Sequence, residues 1–402
     1  MTAVSPNEEK VTLFAESDFR AGRRRFGIKR KDRRHHMYIV GKTGMGKSTL
    51  LKTLVLSDLW VGNGLGLLDP HGDLAEAVLA SAPAERQDDL IVLDPSIPAG
   101  RVPYNPLSST DRTRRHLVAS GLVTAFRKIW ADSWGPRMEY ILYNTLRALA
   151  DFPGASLLDV PRMLTDNVFR ETVLRAGTDP RVAEFWRQEF AAYSPYLRAE
   201  ALAPIQNKIG QCLASPALRE VLGSGKEGLD LRKVMDEGKI LVAALSKGKL
   251  GEQASALLGA LLVAGFEEAA LSRADIPEDQ RRDFYIYIDE FQTFATESIA
   301  GILQEARKYR LNLIIAHQYL GQLEETVRGA IFGNIGTLVS FRVGAEDAEY
   351  LAREFSPVFR EDDLVNLLPH QIYLRLMIDG VMSRPFSART ITTDEAHVPS
   401  AA

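Results

Sequence analysis

The stretch Met37-Tyr38-Ile39-Val40-Gly41-Lys42-Thr43-Gly44-Met45-Gly46-Lys47-Ser48-Thr49 decides the reading of the fold. Its first four residues are apolar and read as a buried strand. The next eight match G-x-x-x-x-G-K-[ST], and a helical pattern runs from Lys47 to Trp60. Strand, glycine-rich turn and helix in that order are the context the motif needs. Gly44 and Gly46 let the backbone curl so that successive N–H groups face a phosphate, and the helix N-terminus adds a favourable partial charge. Lys47 offers a point charge to the terminal phosphates, and the Ser48 hydroxyl offers a ligand to Mg²⁺. The nucleotide cradle is therefore read as Gly41, Lys42, Thr43, Gly44, Met45, Gly46, Lys47, Ser48 and Thr49, with ATP and Mg²⁺ as its cofactors. A second run, Gly223-Ser224-Gly225-Lys226, has Glu227 in place of the hydroxyl and no strand before it, and reads as a linker.

Working outward, short apolar stretches recur at Leu65–Leu68, Leu90–Leu93, Ile240–Leu245, Phe284–Ile288, Leu311–Ala316 and Thr337–Arg342. Most are almost continuously apolar, the mark of strands buried on both faces of a largely parallel sheet. Helical patterns at Gly251–Leu271, Ser298–Tyr309 and Ala345–Phe355 supply the βαβ rhythm. Leu367–Ile391, with Asp379-Gly380 between two alternating runs, reads as a hairpin. The fold class is α/β: a P-loop NTPase with a mostly parallel central sheet. Between Asp111 and about Leu222 helical spacing takes over, which predicts an inserted all-α domain. The expected organisation is a basic lead-in (1–35), the nucleotide-binding domain (36–110 and 229–395), the insertion (111–228) and a tail (396–402). Two prolines in Pro103-Tyr104-Asn105-Pro106 mark the entry to the insertion, and the Gly223–Gly228 stretch marks the exit.

Phe284-Tyr285-Ile286-Tyr287-Ile288-Asp289-Glu290 is an apolar strand ending in two acids. Parallel strands deliver their C-terminal residues to the sheet edge where α/β ligands bind. Asp289 is read as a metal-shell ligand with Ser48, and Glu290 as the base acting on the attacking water. The next strand ends at His317-Gln318, which places an amide at the same edge, and Gln318 is read as a sensor of hydrolysis. His317 has no metal-ligand company nearby in the sequence and reads as structural.

Composition narrows the class. A hydrophobic content of 46% over 402 residues supplies a large core, and the length allows two to three domains, since one core rarely outgrows about 250 to 300 residues. A net charge of −3 argues against a surface that coats nucleic acid all over, but not against a few DNA-gripping loops in a pore. The dense basic run Arg20–Arg34 reads as a solvated lead-in or as a contact to DNA or nucleotide. One cysteine, Cys212, excludes an internal disulfide and fits a reducing cytoplasm. The apolar run Ala254–Phe266 is shorter than the roughly 20 residues a bilayer requires and reads as a buried helix. With no signal-peptide layout, the expectation is a cytoplasmic protein without a membrane span, recruited to the membrane, if at all, by a partner.

Taken together, GKTGMGKST, Asp69-Pro70-His71-Gly72-Asp73, Tyr104-Asn105-Pro106-Leu107, YIDEFQTF and ARKYRLNLIIAHQ resemble the FtsK/HerA group of hexameric DNA-pumping ATPases, and within it the VirD4/TrwB-like conjugative coupling proteins of type IV secretion. The matching segments lie between about Arg33 and Phe355. That resemblance implies a homo-oligomeric, hexameric ring acting on DNA, with relaxosome or secretion-channel proteins as further partners. It assigns Lys47, Glu290 and Gln318 to catalysis. It places Arg307 as the arginine inserted in trans into the neighbouring subunit's site, with Lys308 and Arg310 as rivals and a solvated helix face as the plainer reading. It also puts Asp69 and Asp73 near the nucleotide, Asp73 reading equally well as a helix cap. For DNA contact the candidates are Lys247 and Lys249 after a buried strand, and Arg112, Arg114 and Arg115 at the start of the insertion, each of which also reads as solvated surface. The coupling proteins' transmembrane helices have no counterpart here. The expectation is therefore a soluble member relying on a partner at the membrane, a cytoplasmic plasmid or mobile-element translocase, or a fragment of a larger protein, with a HerA-like translocase working with a nuclease as one alternative and, from a different functional class, a VirB4-like ATPase energising protein export as another.

Overall fold

The structure, a computed structural model, describes residues 8–18, 23–108, 111–223, 228–296 and 298–397. Ser224 to Glu227 of the expected linker, Arg20 of the basic run and the last five residues of the tail fall outside them. The chain divides into two compact units, one of Met1–Ile91, Lys233–Ala244 and Ala270–Ala402, the other of Val92–Arg232 and Leu245–Ala269.

The first unit is built on strands β1 (Val11–Ser17), β2 (Arg25–Lys29), β3 (Met37–Val40), β4 (Gly64–Asp69), β6 (Ile240–Ala244), β7 (Phe284–Ile288), β8 (Leu311–His317), β9 (Thr337–Ser340) and β10 (Gln371–Arg375), and the division falls within the edge strand β5 (Leu90–Leu93). A short hairpin of β11 (Met377–Ile378) and β12 (Val381–Met382) precedes β13 (Phe386–Thr390). The spatial order is β2-β1-β13-β10-β9-β3-β8-β7-β4-β6-β5. From β9 to β6 every pairing is parallel, and the β10, β13, β1 and β2 pairings are antiparallel. Each of β3, β4, β6, β7, β8 and β9 is buried along its whole length, which is why they read as unbroken apolar runs. The helix Lys47–Trp60 packs Leu50, Leu51, Leu54, Val55 and Leu59 into the same core as Met37, Ile39, Tyr285 and Tyr287. Asp379 and Gly380 take left-handed backbone at the tip of the β11–β12 hairpin, as a two-residue turn of that type requires.

The basic lead-in differs from expectation. Instead of a solvated segment, residues 25–33 form β2 and one helical turn, and their cations are drawn inward. Arg33 is 4% exposed and bidentate to Asp58 at 2.6 and 2.8 Å, with the Tyr287 hydroxyl on the same guanidinium and the Tyr285 ring 3.8 Å away. Arg30 and Arg34 share Asp283. Buried guanidinium groups need such partners, because stripping water from an unpaired charge costs several kcal/mol.

The second unit is helical over its inserted part. Its helices include Arg115–Ile129, Pro136–Asp151, Asn167–Arg175, Pro195–Ala214 and Pro216–Leu222. Ser194 and Ser215 cap the last two, each followed by a proline at the first helical position, where a missing N–H costs nothing. Asn105 ties the entry segment to the Ala155 carbonyl, and the Tyr104 hydroxyl donates to Leu261. The apolar run Ala254–Phe266 lies in a helix that spans Glu252–Ser272. Extended to Asp275, it is long and apolar enough to cross a membrane by length and composition, yet it is mostly buried. Being apolar all round, it is a core helix.

Candidate nucleotide-binding site

Parallel register gathers the chemistry at one edge. β3, β7 and β8 run side by side in the same direction, so the residues after Val40, Ile288 and His317 emerge together. Those residues are the Gly41–Ser48 loop, the Asp289-Glu290 pair and Gln318.

The loop is shaped by glycines in left-handed backbone, Gly44 at φ 78° and Gly46 at φ 115°. A Cβ on Gly44 would meet nothing within 4 Å, so the loop's concave side is open, whereas one on Gly46 would come within 2.7 Å of His370 Nδ1. His370 also donates its backbone N–H to the Met45 carbonyl at 2.9 Å. Nothing in the sequence pointed to this brace, which the β9–β10 register brings to the loop. Lys47 is 5% exposed, and its ammonium donates to the Gly41 and Lys42 carbonyls at 2.6 and 3.2 Å. Burial lowers its pKa, a trend that Glu290 and Asp289 oppose.

Ser48 Oγ donates to Asp289 Oδ2 at 3.0 Å, and Asp289 Oδ1 accepts the Glu290 N–H at 2.9 Å. Asp289 is 4% exposed; burial, and after it the Asp69 carboxylate, push its pKa up. Asp69 is wholly buried and accepts from the His71 and Ala75 N–H groups, so it organises the turn into helix Asp73–Leu79. Gly72, in left-handed backbone, is the cap of that helix; Asp73 is its first residue and caps nothing.

Glu290 takes left-handed backbone, φ 45°, which for a side chain of its size is strained. Two amides hold it: Gln292 Nε2 donates to Oε2 at 2.6 Å and Gln318 Nε2 to Oε1 at 2.9 Å. Burial would raise its pKa, but these two hydrogen bonds and the charges of Lys47 and His71 outweigh it and hold the carboxylate low. Gln292 lies within YIDEFQTF, where the spacing carries no sign that it folds back on Glu290. His317 is wholly buried against the Tyr38 hydroxyl at 3.0 Å, and burial drops its pKa to about 4. It is a neutral packing residue.

The chemistry of this donor set fits the expected ligand. Open loop amides and a buried ammonium suit phosphates, while a hydroxyl beside two buried carboxylates suits a hard, oxygen-seeking divalent cation.

Arg307 is not in this cluster. It lies in the turn Ala306–Tyr309 before β8, whereas Gln318 follows β8. The seven residues of β8 separate them by about 23 Å. It is exposed, and its guanidinium donates to His35 Nδ1 at 3.1 Å. Of its rivals, Arg310 is turned inward to the Glu278 carbonyl and Asp283, and Lys308 sits beside Glu305 at 3.6 Å.

The DNA candidates belong to the second unit. Lys247 and Lys249 lie on a short helical turn, Lys247–Leu250, in place of the expected loop. Arg114 pairs with Glu268 at 2.9 Å and Arg115 with Asp151 at 3.1 Å, so both charges are committed inside the unit. Arg112 is exposed and lines a cleft of about 870 Å³ together with His116, Tyr140, Arg147, Arg181 and Glu189.

No protein-family model and no curated protein matches the chain. Solved structures do. The plasmid coupling protein TrwB in complex with the non-hydrolysable GTP analogue GDPNP is 18% identical over 92% of this chain and 87% of that one, with a TM-score of 0.68. TrwB in complex with ADP and Mg²⁺ is 17% identical over 91% and 88%, at 0.66. VirB4 of Thermoanaerobacter pseudethanolicus is 16% identical over 96% and 98%, at 0.65. At these identities the likeness is one of fold, a RecA-like NTPase fold shared along most of each chain.

Proposed function

We propose that the chain is an Mg²⁺-dependent ATPase that assembles into a hexameric ring and drives DNA through it in the manner of a conjugative coupling protein. The observation that carries this reading is the separation of Arg307 from its own chain's site by the length of β8. A surface arginine at that end would serve hydrolysis only in another subunit's site, and head-to-tail contacts of that kind form a ring where the rotation between subunits closes. The neighbours support the cofactors, since TrwB has been captured with ADP and Mg²⁺ and with nucleotide analogues.

In this mechanism the Gly41–Thr49 amides and Lys47 hold the phosphates, and Ser48 and Asp289 hold the metal. Mg²⁺ there supplies charge neutralisation of the terminal phosphates. Glu290, kept ionised by Gln292 and Gln318, orients water and accepts its proton. Gln318, bonded directly to Glu290, links the γ-phosphate position to that base. Arg307 of the adjacent subunit supplies the last positive charge, and a group of this kind is worth about 10³ to 10⁵ in rate. For DNA, Arg112 is better placed than Arg114 and Arg115, whose charges are engaged, and Lys247 and Lys249 are candidates by their position on the turn that follows β6. Relaxosome or secretion-channel proteins would bring the substrate.

A second reading, an ATPase energising protein export, draws on the near-complete mutual coverage with VirB4. Adding single- or double-stranded DNA to the purified protein separates the two. Turnover that rises several-fold with DNA supports the motor, and turnover indifferent to DNA at any length or salt concentration supports export.

A further inference from the structure

We propose that His35 is a positioning residue for Arg307: its neutral imidazole seats the guanidinium at the foot of the strand that carries the nucleotide loop. The inference rests on the reading of Arg307 as a trans-acting group. Arg307 donates to His35 Nδ1 at 3.1 Å, and because a guanidinium only donates, Nδ1 is the acceptor and the ring proton sits on Nε2. His35 lies just before β3, and β3 runs straight into Gly41. One strand therefore joins the loop that would grip a subunit's own nucleotide to the seat of the arginine it would present to its neighbour.

The seat is fixed while its occupant is exposed. The His35 N–H donates to the Asp32 carbonyl at 3.1 Å, and the His35 carbonyl accepts from Gly336 at 2.5 Å. Any Cβ at position 336 would run into both the His35 and Met377 side chains, so the close approach of β9 requires glycine. The Asp32 carboxylate in the preceding turn is occupied by the Asp379 and Gly380 N–H groups of the β11–β12 hairpin. An unsupported arginine side chain loses rotamer freedom when it docks, and a partner that holds it removes part of that loss in advance.

The identity of the partner matters. Arg30, Arg33 and Arg34, close by in sequence, are held by carboxylates, which neutralise them. A neutral imidazole orients the guanidinium without cancelling the charge that a developing phosphate transition state needs. The groups facing His35 are Arg307, Asp32 and the buried His36. Burial, and after it Arg307, hold the His35 pKa below the ordinary imidazole range while Asp32 opposes them, so the acceptor form prevails at neutral pH. Protonation would put a proton on Nδ1 and a second cation beside Arg307.

The test measures ATP turnover between pH 5 and 8, with nucleotide binding followed separately by a fluorescent ATP analogue, in His35→Ala, His35→Gln, His35→Lys and Arg307→Ala. His35→Ala should lower kcat about tenfold, the worth of one hydrogen bond to a charged group, with nucleotide affinity unchanged. His35→Gln, a neutral acceptor, should recover most of the rate and lose any acid-side fall that the parent shows, and His35→Lys should be slow at every pH. If Arg307→Ala abolishes turnover while His35→Gln and His35→Lys turn over alike at parental rates, the seat is overturned and the trans reading stands. If Arg307→Ala turns over normally, the trans reading fails with it.

Discussion

At the C-terminal ends of β3, β7 and β8 the charged groups face one another at close range: Lys47, Asp289 and Glu290 are all under a tenth exposed, and Asp69 is wholly buried. At the N-terminal ends of the same strands Arg33, Arg34 and Arg310 are spent on Asp58 and Asp283, while Arg307 stands in solvent on a neutral ring. One end concentrates charge that a triphosphate and a metal would balance. The other pairs Arg33, Arg34 and Arg310 with carboxylates, and there Arg307 rests on an uncharged partner. On the proposed reading, the difference teaches how a single parallel sheet would serve two sites at once, with a half-site at each end.

The contrast is broken most severely at the loop. Lys47→Ala should remove measurable nucleotide binding and with it all turnover, since no other described cation bonds the loop carbonyls. A binding titration that still saturates at parental affinity would contradict the cradle. At the opposite end Arg33→Ala should leave Asp58 charged, buried and short of its main partner, a class of change that costs about 3–5 kcal/mol. Urea unfolding would report it as a lower midpoint, and an unchanged midpoint would mean that the pair is not buried as described.

A smaller effect has the opposite sign. Burial and Asp69 raise the Asp289 pKa in the fold, so the protonated acid is the form the fold favours; that stabilising contribution is present at acid pH and lost as pH rises through the raised value. At neutral pH, without metal, Asp289→Asn should therefore raise stability by about 0.5–2 kcal/mol while lowering Mg²⁺-dependent turnover. Thermal melts across pH would check it, the gain shrinking toward acid. Least of all, Lys308→Ala should change turnover less than about twofold, in keeping with the small worth of an exposed pair.

What the sequence revealed and what it hid follow from range of contact. The central strands were legible because burial on both faces leaves a continuous apolar record, and the nucleotide loop because its geometry is written in adjacent glycines. β1 and β2 were not legible. β1 pairs with β13 at the far end of the chain, and the basic residues around β2 look solvated until Asp58, Asp283 and Tyr287 are brought to them. Gln292 and His370 escaped for the same reason, since neither belongs to a spacing rule and each acts through a fold-back or a strand register. The choice among Arg307, Lys308 and Arg310, level in sequence, is narrowed by side-chain direction, which only three dimensions supply.

The most direct test of a reaction centre shared between subunits is to mix Lys47→Ala protein with Arg307→Ala protein, each inactive alone, and measure ATP turnover. Interfaces that pair an intact loop from one variant with an intact arginine from the other should restore a substantial fraction of the parental rate, greatest near equal amounts. Mixtures that stay as inactive as their components at every ratio, although the subunits demonstrably co-assemble, would contradict the account.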